Sequence, residues 1–138
     1  MQRITHLGRP LDPRYPSNRV AIVVPVAIGV LVAALADGGL ADRALEGGIA
    51  LVASFLAWAL GREIDPDRTL TANGAAVVGG LLAGALGSAA LGALYLLMAT
   101  ARITTRTTGL PPKPTDLLVH VGAAAFFAPR PRPAGRRG

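Results

Sequence analysis

The residues best suited to chemistry lie in one heptapeptide, Arg62-Glu63-Ile64-Asp65-Pro66-Asp67-Arg68, which sets three carboxylates and two guanidiniums within seven positions. Carboxylates this close hold a divalent cation against a lipid phosphate, or shift one another's pKa for acid/base catalysis. Glu63, Asp65 and Asp67 are therefore the candidate catalytic residues, with Arg62 and Arg68 beside them as ligands for an anionic headgroup. The same residues also read as helix punctuation. In that reading Asp65 caps, Pro66 starts a helix, Asp67 faces its positive end and the arginines neutralise the acids. One acidic loop lacks the second half of a metal site, so punctuation is the preferred reading and no metal or other cofactor is expected.

A second basic cluster, Arg102-Ile103-Thr104-Thr105-Arg106, places two guanidiniums one helical turn apart among hydroxyls. Arg102 and Arg106 are candidate contacts to an anionic lipid headgroup, against a plainer reading as a solvated interfacial end. The absence of Cys excludes disulfides, thiolate catalysis and Cys-containing metal sites, and two isolated histidines, His6 and His120, build no His-rich one. There is no Gly-x-Ser-x-Gly, phosphate-binding loop or His-Glu-x-x-His. The segment Asp37-Gly38-Gly39-Leu40-Ala41-Asp42-Arg43 is reminiscent of the Asp-Gly-x-x-Ala-Arg start of the CDP-alcohol phosphotransferase motif. Asp42 stands between Ala41 and Arg43, however, and the following helix has no Asp at the required positions, so no membership follows.

Composition explains why chemistry is sparse. Of 138 residues 51% are hydrophobic and 16% charged, against roughly 25% charged in soluble domains. Mean hydropathy is +0.47, and the net charge of +6 reads as a match to anionic lipid headgroups rather than to nucleic acid. The class is an all-α integral membrane protein, because a helix satisfies its own backbone inside lipid and no run shows the alternation of a barrel strand.

Four stretches lack charge: Val20–Ala36 (17 residues), Gly47–Gly61 (15), Leu70–Ala101 (32) and Leu117–Pro129 (13). A hydrocarbon core of roughly 30 Å asks for about 20 residues. The expectation is thus a small bundle of about four hydrophobic helices, two long and two short, spanning residues 20–128. A basic Pro/Arg-rich arm (1–19) precedes it and a Pro/Arg-rich tail (129–138) follows it. Ser17 or Asn18 is the expected cap of the first helix, and Asp37-Gly38-Gly39 its stop. Gly61 would close the second, with Trp58 anchored at headgroup level, and Pro66 would open the third, unless Asn73-Gly74 breaks it.

On the third run Ala76, Gly80, Gly84, Ser88 and Gly92 recur every four residues, a ladder of small side chains that lets another helix approach closely. It serves either an oligomer interface or packing within the subunit, the second being favoured. Orientation is contradictory. The arm's Arg3, Arg9, Arg14 and Arg19 place the N terminus in the cytoplasm, yet four spans then expose Arg102, Arg106 and Lys113 on the outside, against the positive-inside tendency.

The reading that follows is a multi-pass membrane protein with both termini cytoplasmic. Its expected role is as a structural, assembly or interaction subunit packing through the glycine-rich helix. Its expected partners are anionic lipids and a membrane protein or a second copy. The alternative is an interfacial enzyme acting on lipid headgroups through residues 62–68.

Overall fold

The computed structural model describes residues 11, 12, 14–105 and 111–128; Arg106, the tail 129–138 and most of the N-terminal arm lie outside them. The described residues form five helices and no strand: α1 (Pro16–Leu35), α2 (Leu40–Ile64), α3 (Thr69–Leu86), α4 (Ser88–Thr105) and α5 (Pro114–Phe127). Three of them, α1, α2 and α3, are long and apolar enough to cross a membrane.

Five helices replace the expected four because the 32-residue run does not form one rod. It breaks at Gly87, whose φ of 64° and ψ of −145° lie in a region that essentially only glycine occupies without strain. The chain then doubles back. Leu94 of α4 comes beside Gly79 of α3, and Met98 packs on the cluster that contains Ala72 and Ala76, so α3 and α4 are a helical hairpin.

The expected pairing of two long with two short helices also changes. α2 is 25 residues long, running from Leu40 through Glu46 and past Gly61 to Ile64. Gly61 does not end it; the missing side chain instead admits Ala72 of α3, whose Cα would lie 2.8 Å from a Cβ placed there. Trp58 is 7% exposed, stacked on Phe55 with ring centroids 6.1 Å apart, and clustered with Ala21, Ala59, Ala72 and Ala76. Small neighbours leave room for the indole, whose large apolar area is buried.

Helix ends shift by a few residues. α1 starts at Pro16 after Tyr15, two or three residues before the start expected from a Ser17 or Asn18 cap, because proline at the first helical position forfeits no hydrogen bond. Asp65 terminates α2, its N–H donating to the Gly61 carbonyl at 3.0 Å. Pro66 therefore falls in a turn and α3 opens at Thr69, then continues through Asn73-Gly74. Between α1 and α2, Gly38 takes φ 97°.

Each consecutive pair of helices is antiparallel. A Cβ on Gly29 of α1 would touch Gly47 and Leu51 of α2, and one on Gly80 of α3 would touch Ser54 of α2 and Ile28 of α1. Gly84 approaches Val32, while Gly92 of α4 lies beneath the ring of Phe127. Small residues on facing stripes bring the backbones together.

This up-and-down order sorts the charges. One end of the bundle collects the start of α1, the 65–68 connector, the end of α4 and the start of α5. It carries Arg14, Arg19, Arg62, Arg68, Arg102 and Lys113, together with the acids Asp12, Glu63, Asp65, Asp67 and Asp116. The opposite end carries Arg43 among the described residues, together with Asp37, Asp42 and Glu46.

Candidate functional site at the basic end

The acidic heptapeptide sits where α2 ends and α3 begins, and the α3–α4 hairpin returns Arg102 to it. Arg102 Nε donates to Glu63 Oε1 at 2.9 Å, with side chains only 14% and 6% exposed. Two residues assigned different roles from sequence, a candidate catalytic carboxylate and a headgroup ligand, are thus partners in one ion pair that joins α4 to α2. In a poorly hydrated setting such a pair holds together because either charge alone would be costly to bury. Arg102, a candidate headgroup contact, thus also joins α4 to α2 through Glu63.

The remaining members of the heptapeptide are peripheral. Asp65 lies 3.7 Å from Arg68 across one turn, with the arginine side chain 80% exposed, a geometry worth little in water. Asp67 is exposed and Arg62 half-buried. Among the described residues no group of three or more His, Cys, Asp or Glu is placed to hold a metal ion.

A second polar group lies between α4 and α5. Thr100 Oγ1 and His120 Nε2 are 3.2 Å apart, and the Tyr95 and His120 rings are 6.5 Å apart. Asp116, one turn earlier on α5, is buried at 4% exposure and accepts the backbone N–H of Lys113 at 2.9 Å, capping the helix. His120 thus sits in a helix–helix contact.

The small-residue ladder does not form one stripe. Ala76, Gly80 and Gly84 lie on α3, the first two buried against the bundle and Gly84 against Val32 of α1. Ser88 and Gly92 lie beyond the Gly87 bend on α4, where Ser88 is exposed and Gly92 is covered by Phe127. Four-residue spacing implies a shared face only while the helix stays continuous.

Arg43, met in sequence only as the end of the motif-like Asp37–Arg43 segment, has a structural role. Its Nε donates to the Ala33 carbonyl and its Nη2 to the Ala34 carbonyl, both at 2.9 Å, satisfying acceptors left open where α1 ends. An arginine just after a Gly-Gly stop and one residue after an N-capping acid is the available signal. Asp42 is that acid, its Oδ2 accepting the Gly39 N–H at 3.2 Å. The motif-like Asp37–Arg43 segment is accounted for as a helix-to-helix joint.

Comparison with protein-family models, with curated proteins and with solved structures finds no match.

Proposed function

We propose that this chain is a small helical bundle embedded in the bilayer, serving as a binding and assembly subunit without catalysis of its own. The observation that carries this reading is the Glu63–Arg102 pair. The candidate carboxylate with the most shielded position is committed to a structural contact at 2.9 Å, leaving the half-buried Asp65 and the exposed Asp67 without a buried partner group for acid/base work. The outward faces are apolar along α1, α3 and α5, with Val23, Val30, Val78, Leu118 and Val121 exposed, the surface that lipid chains or a neighbouring membrane helix would cover.

The hairpin at Gly87 also suggests the orientation. With α4, about 27 Å long, crossing beside α2, Thr105 at its end returns to the side on which α1 starts. Arg14, Arg19, Arg62, Arg68, Arg102 and Lys113 then share one side and Arg43 takes the other, which suits a cytoplasmic basic end. α5, about 21 Å long, is short of a roughly 30 Å core and lies against α4 within the bundle.

The test is extraction of the full chain in native lipid nanodiscs, followed by mass measurement of everything that copurifies. A discrete homo-oligomer or a stoichiometric membrane-protein partner supports assembly. A bare monomer in every lipid background overturns it.

A further inference from the structure

Among the described residues α5 packs on the rest of the bundle through α4 alone, whereas α1, α2, α3 and α4 each meet two other helices or more. Its attachment follows one stripe. Asp116, His120 and Phe127 are spaced by four and seven residues and so share a helix face. Phe127 covers Gly92 of α4, His120 Nε2 lies 3.2 Å from Thr100 Oγ1, and Asp116 is buried. Leu118 and Val121 stay exposed.

The middle of this stripe can change its charge, because imidazole is the side chain that ordinarily titrates between pH 5 and 8. The second ring nitrogen of His120, Nδ1, is buried and has no hydrogen-bond partner among the described residues. Whichever tautomer the neutral ring adopts, an imidazolium carries an N–H on both nitrogens. Thr100 Oγ1 can accept from Nε2. The N–H on Nδ1 meets no acceptor, and a positive charge is shut between two apolar helices.

The groups around the ring fix the sign. From α4 it faces Thr100 and Tyr95, the latter with ring centroids 6.5 Å apart, and neither is a carboxylate. Arg102, the charged residue of α4, is paired with Glu63 of α2. On α5 itself Asp116 stands one turn before His120 and favours the imidazolium. Both ride on the same helix, so that attraction stays with α5 on or off α4 and largely cancels. What differs is the α4 surface, which favours the neutral ring. Docked α5 therefore binds the proton less well than released α5, and its attachment, full above the imidazole range, falls as pH drops through it.

We propose that α5 is a pH-gated flap: the neutral His120 ring lets it lie on α4, and protonation of that ring lifts it off while α1 to α4 stay packed. The device goes beyond the assembly role proposed above and depends on neither a partner nor a lipid.

The experiment is pulsed dipolar distance measurement between spin labels on the full chain in detergent micelles, where the absence of native cysteine leaves the introduced ones alone. One label pair, Leu118→Cys with Leu45→Cys, joins exposed positions on α5 and α2; a reference pair, Val30→Cys with Val78→Cys, joins α1 to α3. The α5–α2 pair should give one narrow distance at pH 8 and a broad, displaced one at pH 5, the ratio of docked to released α5 falling about tenfold. The reference pair should keep one distance at both. His120→Gln, which retains a polar partner for Thr100 and takes up no proton, should hold α5 docked throughout. His6→Gln, at the chain's other histidine, and Asp116→Asn, which keeps an acceptor for the Lys113 N–H, should leave the response in place. If circular dichroism shows that His120→Gln does not fold, His120→Asn replaces it with the same expectation. An α5–α2 distance that does not change with pH overturns the flap. So does a response that survives removal of His120 or vanishes with Asp116→Asn, which would assign the proton to another group. Movement of the reference pair along with α5 also overturns it, as general unfolding by acid.

Discussion

Ser54 is fully buried between α1, α2 and α3, and its hydroxyl has no hydrogen-bond partner. A buried, unsatisfied hydroxyl opposes folding, so Ser54→Ala should leave stability within about 0.5 kcal/mol of the parent or raise it, as read by thermal unfolding in detergent. Glu63 and Arg102 behave oppositely. Glu63→Gln takes the carboxylate from the 14%-exposed guanidinium and should cost about 3–5 kcal/mol, whereas Glu63→Gln with Arg102→Gln together recovers most of that loss, since neither charge of the pair remains. A pair that merely sat at the surface would show single and double variants alike, within ~1 kcal/mol of the parent. The individual charges were legible in sequence. Their pairing was not, because 39 residues separate them, and a straight helix from Arg68 would carry Arg102 ~50 Å away.

At the scale of the helices, glycines divide by what surrounds them. A Cβ on Gly48 or Gly74 meets nothing within 4 Å, so Gly48→Ala and Gly74→Ala should each stabilise by about 0.5–1 kcal/mol through reduced backbone entropy in the unfolded chain. Gly79→Ala and Gly80→Ala should destabilise, because their new carbons would fall 2.4 Å from Ala57 and 2.6 Å from Ile28. Equal effects at all four positions would mean that the bundle is not packed as described. Gly87→Ala should cost about 1–3 kcal/mol although open space surrounds it, since the penalty there lies in the backbone angles. Hydropathy located the apolar segments that become helices, and the Asp37-Gly38-Gly39 stop was legible from its residue types. The hairpin was not, for a glycine inside an Ala/Leu/Gly run gives the same hydropathy whether its φ is negative or positive. The four-residue ladder across 76–92 followed from assuming one helix where there are two.

At the scale of the whole molecule, the bend at Gly87 decides which charges share an end of the bundle. Taken as a single span, the third run leaves Arg102, Arg106 and Lys113 on the wrong side of the positive-inside tendency. Folded back as α3 and α4, it puts Arg102 and Lys113 beside Arg14, Arg19, Arg62 and Arg68, and Arg43 faces the other way. The chain contains no cysteine, so single substitutions report topology without background. The decisive measurement is membrane-impermeant thiol labelling of Asp37→Cys, Asp67→Cys and Thr107→Cys in sealed vesicles of known orientation. Positions 67 and 107 should label from the same, cytoplasmic side and position 37 from the opposite one. Labelling of 67 and 107 from opposite sides would mean that residues 70–101 cross once as a continuous helix, and the hairpin, the Glu63–Arg102 clamp and the basic end would fall together.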